Sequence, residues 1–256
     1  MFSARPNYQR LPAFGSVIGL LIFIGACKPL QVQKTETQHV AIGDPAVDSS
    51  TYKFIFPYKE KLDAAMSEVI GEAPAALVKG LPESNLGNFF ADAMLLKARS
   101  VPGVDTAGLV ALFNYGGLRT SVPQGPVHVG NMFEVMPFEN QLVLLPLKGA
   151  ELMRVLDALA EKGGAPLAGV SFVIANKKAT RVKVHNLAAD TSKIYTIATS
   201  DYLANGGDNF FNTAAPKEFT GTNFLLRDIL IERCRNLQKQ NKPISGLTDG
   251  RISVEK

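Results

Sequence analysis

Apolar residues recur along the chain at two spacings, one typical of helices and the other of strands. Steps of three and four predict a helix that Pro57 starts and that Gly71 and Pro74 end, with Tyr58 and Leu62 on its apolar face. The same spacing predicts three further helices: one capped by Ser84 or Asn85, one over residues 151–162, and one that Asn223 caps and that runs to about Gln240.

Continuous and alternating apolar runs predict the strands between these helices. The strands are expected at residues 107–113, 141–147, 170–174, 181–184, 194–199 and 252–254. We therefore predict a single α+β domain in which helices flank a mixed β-sheet.

Two of these strands lead directly into a turn that contains a Gly-Gly pair. The first turn is Asn114-Tyr115-Gly116-Gly117-Leu118-Arg119, in which glycine is expected to supply positive φ angles and to let backbone N–H groups approach a ligand. A guanidinium close to those amides suits a phosphate or a carboxylate. An ordinary tight turn with a surface arginine is the alternative interpretation.

The second turn follows the strand at 194–199 and runs from Tyr202 to Asp208, with glycines at positions 206 and 207. A carboxylate follows the glycines here, whereas a guanidinium follows them in the first turn. A ligand with a phosphate at one end and hydrogen-bonding groups at the other would suit both turns, with Phe138 and Tyr202 stacked on a base. The alternatives are two unrelated turns and a Phe138 that anchors its loop to the core.

The N-terminus predicts export and a lipid anchor. Arg5 and Arg10 precede an apolar run at 14–24 that is short for a membrane span, and the sequence then resembles a bacterial lipobox ending at Cys27. We expect a signal peptide over residues 1–26, a lipidated Cys27, and a tether over 27–50 that holds a domain at 51–256 to the bacterial cell envelope. That domain would face the periplasm or the cell surface; an uncleaved anchor is the alternative.

The remaining composition limits the chemistry. The net charge of +4 falls to +2 without the two leader arginines, and no basic run is present, so nucleic acid is not an expected partner. With Cys27 lipidated, Cys234 lacks a partner and is predicted to be a buried small hydrophobe. The three isolated histidines form no metal motif, and His128 is either an acid or base near the cleft or a bystander.

Four motifs in order resemble the C-terminal domain of the bacterial and animal 5′-nucleotidase family, over nearly the whole chain from about residue 50. They are Glu83-Ser84-Asn85-Leu86-Gly87-Asn88, Asn114 to Arg119, Pro137-Phe138-Glu139-Asn140, and Asp201 to Asp208. Taken by themselves, the polar residues of the first motif either cap the following helix or line a cleft.

The resemblance implies a domain that binds a nucleotide and rotates to bring its phosphate to two metals on an N-terminal metallophosphatase domain. It implies that Phe138 and Tyr202 sandwich the base, that Arg119 lies on the phosphate side and that Asp208 holds ribose hydroxyls. The expected substrate-binding set is Asn114, Gly116, Gly117, Arg119, Phe138, Asn140, Gly164, Tyr202 and Asp208.

Three features depart from the family pattern. No metallophosphatase motif occurs in these residues, Lys79 supplies the only charge where some members have arginines, and Asn131 stands in place of the usual aspartate. We therefore expect no catalytic residue and no cofactor in this chain, with divalent metals on a separate metallophosphatase chain. Whether the chain is itself an enzyme stays open, since a vestigial fold used for protein contact and a self-sufficient hydrolase are alternatives.

Overall fold

The structure is a computed structural model that describes residues 36–37, 49–211 and 218–255. The predicted signal peptide, Cys27 and nearly all of the predicted tether lie outside these residues. The chain from Ser50 onward forms one compact unit. Among the described helices, none combines the length and the apolar character needed to cross a bilayer.

The helices and strands follow one another along the chain with short connections. Within the described residues the helices are α1 (Ser49–Met66), α2 (Asn85–Arg99), α3 (Val129–Val135), α4 (Gly149–Glu161), α5 (Asp201–Ala204) and α6 (Leu226–Lys239), with 3₁₀ turns at Tyr115–Gly117 and Gly207–Asn209. The strands are β1 (Val69–Ala73), β2 (Leu109–Leu112), β3 (Gly125–His128), β4 (Gln141–Lys148), β5 (Leu167–Ala168), β6 (Val170–Ala175), β7 (Lys178–Val184), β8 (Leu187–Ala188), β9 (Ile194–Ser200), β10 (Thr220–Leu225) and β11 (Ile252–Val254).

The strands of the described part of the chain form three sheets, and the largest is mixed. It has five strands in the order β10-β4-β9-β2-β5, in which β2 and β9 are parallel and the other pairs are antiparallel. A second sheet, β11-β6-β7-β8, joins β11 to β6 in parallel, and β1 pairs with β3 alone. The predicted α+β architecture with mixed sheet and flanking helices is confirmed.

The part of the core that positions the first Gly-Gly turn lies between the five-stranded sheet and α2. All four residues of β2 are fully buried, as expected for an apolar run in a strand that is covered on both faces. Helix α2 begins after Ser84, whose hydroxyl accepts a hydrogen bond from the Gly87 N–H at 3.0 Å. Its Phe90 ring packs against Phe113 with ring centroids 4.6 Å apart. The helix therefore connects the core to the residue that precedes the first Gly-Gly turn.

The first helix differs from its prediction. It extends from Ser49 to Met66, so Pro57 lies inside it, and Val69 and Ile70 belong to β1. Strand pairing with β3 and the complete burial of Ile70 outweigh the helical spacing of these residues. No described residue of α1 is buried, so its apolar spacing does not mark a core face.

The last helix also starts later than predicted. Asn223 is a residue of β10 with φ 60°, and α6 begins at Leu226. The pairing of Thr220 and Gly221 with β4 keeps this segment in the sheet. Farther along α6, Cys234 is a free, fully buried cysteine, and burial raises the pKa of its thiol to about 12. Its predicted role as a buried small hydrophobe is confirmed.

Candidate functional site

The topology of the five-stranded sheet brings three loops to one edge. Because β2 and β9 are parallel, with Ala111 opposite Ala198, both strands end at the same edge. Strand β4 runs antiparallel to β9 and begins there, with Leu142 opposite Ser200. The loop after β2, the loop before β4 and the loop after β9 therefore meet.

These loops enclose a cleft of about 360 Å³. It is lined by Asn114, Gly116, Gly117, Arg119, Phe138, Asn140, Tyr202 and Asp208. All eight belong to the set of nine expected from the sequence. The ninth, Gly164, lies in a neighbouring depression of about 420 Å³ that shares Asn114, Gly116 and Asp208 with the cleft. The contact of these residues with a ligand stays a prediction.

The glycines of the first turn are needed for close packing and not for positive φ. Neither Gly116 nor Gly117 is among the residues with positive φ, so that expectation is wrong. A Cβ atom on Gly117 would lie 2.4 Å from the Phe113 ring, and one on Gly116 would lie 3.2 Å from the Asn114 amide nitrogen. The missing side chains let the turn lie directly on the core.

In the second turn each glycine has a different function. Gly206 has φ 95°, in the region that favours glycine. Gly207 lies against the ring of Tyr202, where an added Cβ would be 2.5 Å from ring atoms. Gly206 thus reverses the chain, and Gly207 packs against the partly exposed Tyr202 ring.

Arg119 is held at the mouth of the cleft. Its backbone N–H donates to the Val135 carbonyl at 2.8 Å, and its guanidinium Nη1 donates to the Gly116 carbonyl at 3.2 Å. The guanidinium carbon lies 5.8 Å from the centroid of the Phe138 ring. Since a guanidinium has five N–H donors, this position leaves donors for an anionic group between the turn and the ring.

Asp208 bonds to two residues of the cleft and to Lys162, which lines the neighbouring depression. One carboxylate oxygen accepts a short hydrogen bond from the Asn114 amide, and the other accepts one from the Tyr202 hydroxyl at 2.9 Å. Its backbone carbonyl accepts a hydrogen bond from Lys162 Nζ at 2.8 Å. The carboxylate raises the pKa of the Tyr202 phenol through this hydrogen bond and its negative charge, so the hydroxyl stays protonated at neutral pH.

Phe138 projects from a loop that the start of α6 holds in place. The Leu226 N–H donates to the Asn140 carbonyl at 2.9 Å. Arg227 is buried, donates to the Pro137 carbonyl at 3.3 Å and lies 4.1 Å over the Phe133 ring. The Phe138 ring itself is 42% exposed, so it does not anchor this loop in the core.

Two further residues near the cleft were not found from the sequence. The sequence places Arg227 on the polar side of one amphipathic helix and Lys162 at the end of another. Charged residues at such positions are usually exposed to solvent, so neither was expected near the cleft. In the structure Lys162 Nζ lies 4.6 Å from the Phe210 ring centroid. Lys79 lines the depression that also contains Lys162 and Gly164, and it donates a hydrogen bond to the Leu118 carbonyl at 2.8 Å.

Replacing Arg227 by methionine should lower the free energy of unfolding by about 1–3 kcal/mol, because the Pro137 carbonyl loses its buried donor. Urea unfolding followed by circular dichroism measures the change. Arg233→Met on the same helix is the matched control and should cost less than about 0.5 kcal/mol. Equal costs for the two variants would show that Arg227 does not hold the loop.

The first motif has a structural function. The Asn85 side chain accepts from the Val78 N–H at 2.7 Å and donates to the Ala76 carbonyl at 3.0 Å. Asn88 is buried and donates to Glu83 at 2.9 Å. Together with the Ser84 cap, these bonds confirm that the motif shapes and caps the start of α2 and does not line the cleft.

The structure assigns His128 and Asn131 to the start of α3. His128 Nδ1 is 2.9 Å from the Ser67 carbonyl oxygen, and its backbone N–H donates to the Asn131 side chain at 2.9 Å. His128 does not line the cleft. Across the described part of the chain, no group of three or more His, Cys, Asp and Glu side chains is arranged to hold a metal ion.

Comparison with known proteins identifies relatives of this chain. Trifunctional nucleotide phosphoesterase protein YfkN of Bacillus subtilis is 31% identical over 219 residues, which are 76% of this chain and 14% of that protein. Protein UshA of Yersinia enterocolitica is 28% identical over 195 residues, 72% of this chain and 34% of that protein.

A solved structure shares the fold. The 5′-nucleotidase precursor from Thermus thermophilus superposes with a TM-score of 0.66 at 30% identity, over 81% of this chain and 43% of that one. The chain therefore spans less than half the length of each of these three relatives.

The family model for the 5′-nucleotidase C-terminal domain matches residues 67–215, a range that runs from the turn before β1 to just beyond the second Gly-Gly turn. This range contains all four motifs on which the resemblance rested and every residue that lines the cleft. The chain belongs to the family of 5′-nucleotidase C-terminal domains.

Proposed function

We propose that this chain is the nucleotide-binding part of a split 5′-nucleotidase and acts with a separate metallophosphatase chain. The observation that carries the proposal is the cleft itself, in which eight residues of the family motifs meet at one sheet edge. Two aromatic rings, a guanidinium and a carboxylate lie around one cavity. These groups suit a base, a phosphate and a ribose, in that order.

The proposed binding mode follows the order of these groups. The base stacks on Phe138 and Tyr202, which are 42% and 47% exposed and so are accessible to a planar ligand. The ribose hydroxyls bind Asp208, whose carboxylate retains unused lone pairs. Arg119 then holds the phosphate through its remaining N–H groups and directs it out of the cleft.

The partner chain supplies the catalytic chemistry in this proposal. Divalent metals on it would polarise the phosphate and activate water, whereas the residues described here bind and orient the substrate. The charged side chains that line the cleft, Arg119 and Asp208, fit this division of tasks because they suit a phosphate and hydroxyl groups. A lipid on Cys27 would hold the domain at the cell envelope, facing the periplasm or the surface, where a tethered partner is within reach.

Phe138→Ala should weaken nucleotide binding by about 1–3 kcal/mol, because the base loses one stacking surface. Isothermal titration with AMP and with a UDP-sugar, on the chain alone and with its metallophosphatase partner, measures the change. Phe54→Ala is the control, since Phe54 is 72% exposed on α1 and its loss should leave the affinity unchanged.

Three outcomes would contradict the proposal in different ways. A lack of binding to AMP and UDP-sugar at millimolar concentration, with and without the partner, would remove its basis. Equal affinities for the Phe138→Ala variant and the parent chain would favour a vestigial cleft on a protein-interaction lipoprotein. Phosphate release by the isolated chain with divalent metal would indicate a self-sufficient hydrolase.

A further inference from the structure

The side chain of Asp208 is held from two sides by groups of unequal burial. Asn114 is buried at 5% exposure and bonds one carboxylate oxygen from the core side. Tyr202 is 47% exposed and bonds the other oxygen, at 2.9 Å, from the solvent side. Asp208 itself is exposed and has φ 53°, a left-handed backbone conformation that is uncommon for residues other than glycine.

These two bonds fix how the carboxylate presents its remaining lone pairs. An ionised carboxylate has about four acceptor positions, two on each oxygen. With one position on each oxygen used by the protein, one on each oxygen remains. Two neighbouring acceptors in one plane fit two vicinal hydroxyl groups, which each donate one hydrogen bond.

The Tyr202 hydroxyl is the group that holds the Asp208 carboxylate from the solvent side. The ring lies on Gly207, whose Cβ position is 2.5 Å from ring atoms, so the phenol cannot move toward that residue. Lys162 holds the Asp208 backbone carbonyl at 2.8 Å but does not touch its carboxylate in any described bond. Without the hydroxyl, the carboxylate would be restrained on the Asn114 side alone.

We propose that the Tyr202 hydroxyl is a positioning group that makes the cleft selective for nucleotides with an intact ribose 2′,3′-diol over deoxyribonucleotides. This inference rests on the proposed function, in which Asp208 receives the ribose hydroxyls. A site with prearranged partners for a substrate hydroxyl discriminates against the analogue that lacks it, because a polar group is then left unpaired.

The test compares AMP with 2′-deoxy-AMP in the full chain by isothermal titration. The parent chain should prefer AMP by about tenfold, as expected for one hydrogen bond to a charged group. Tyr202→Phe keeps the stacking ring and should reduce that preference to about twofold, with the 2′-deoxy-AMP affinity changed by less than about twofold. Asp208→Ala should abolish the preference, and Tyr58→Phe, on α1, should retain it.

The outcomes separate this inference from the proposed function. If the parent chain binds neither nucleotide, the proposed function fails and the inference fails with it. If both bind and Tyr202→Phe either keeps the tenfold preference or loses affinity equally for both, the cleft binds nucleotides and the positioning role is wrong. Thermal melting of each variant shows whether a loss of binding reflects a loss of folding.

Discussion

Truncation of Phe113 to alanine should lower the free energy of unfolding by about 3–5 kcal/mol. The ring is fully buried and packs on Phe90, with centroids 4.6 Å apart. Gly117 also lies against it, where a Cβ would be 2.4 Å from the ring. The truncation thus opens a cavity beneath the Asn114–Arg119 turn, and urea unfolding measures the loss.

Two variants show whether the lost ring is the cause. Phe113→Leu keeps most of the volume and should cost about 1.5 kcal/mol or less. Phe54→Ala removes a ring that is 72% exposed and should stay within about 0.5 kcal/mol of the parent chain. If Phe113→Ala were no more costly than Phe54→Ala, the turn would not depend on the ring below it.

The central strands could be predicted because their signal is local. The run that includes β2 is apolar at every position and is followed by a turn, which is typical of a strand covered on both faces. Helix α2 was equally clear, because the cap at Ser84 and the apolar spacing that follows lie within one segment. In such segments propensity, pattern and tertiary packing favour the same structure.

The ends of α1 and α6 could not be predicted because distant segments determine them. Val69 and Ile70 fit a helix by spacing, but β3, whose His128 lies opposite Val69, pairs with their strand in the structure. Asn223 fits a helix cap by residue type, but β4 keeps residues 220–225 in the sheet. A single sequence does not state which strand lies next to which.

The residues that line the cleft could be predicted from sequence motifs, whereas the hydrogen bonds that hold their loops in place are visible only in the structure. Arg227 reaches Pro137 across 90 residues of sequence, and Lys162 reaches Asp208 across 46. Glycine was correctly identified as a requirement of the first turn, but one of the two reasons given for it, a positive φ, is wrong. Packing against Phe113, and not a positive φ, excludes a side chain there.

Gly164→Ala should be among the most destabilising single substitutions in this chain, with a loss of more than about 3 kcal/mol. Gly164 has φ 125°, and an added Cβ would lie 2.0 Å from the Pro82 carbonyl oxygen. Because the atoms that it meets belong to the backbone, no side-chain rotation can relieve this contact. Thermal unfolding should show a decrease of about 2–4 °C for each kcal/mol lost.

Gly103→Ala shows the cost of a side chain at a positive-φ glycine whose Cβ position meets no neighbouring atom. Gly103 has φ 81° and no heavy atom within 4 Å of its Cβ position, so its substitution should cost only about 1–2 kcal/mol. The difference between the two variants therefore measures the clash with Pro82 together with the extra strain of φ 125° over φ 81°. Since Lys162, two residues before Gly164, holds the Asp208 carbonyl, Gly164→Ala should also weaken AMP binding at temperatures where it is folded. Gly103→Ala should leave that binding unchanged, and equal effects of the two variants on stability and binding would show that the Gly164 segment does not support the cleft.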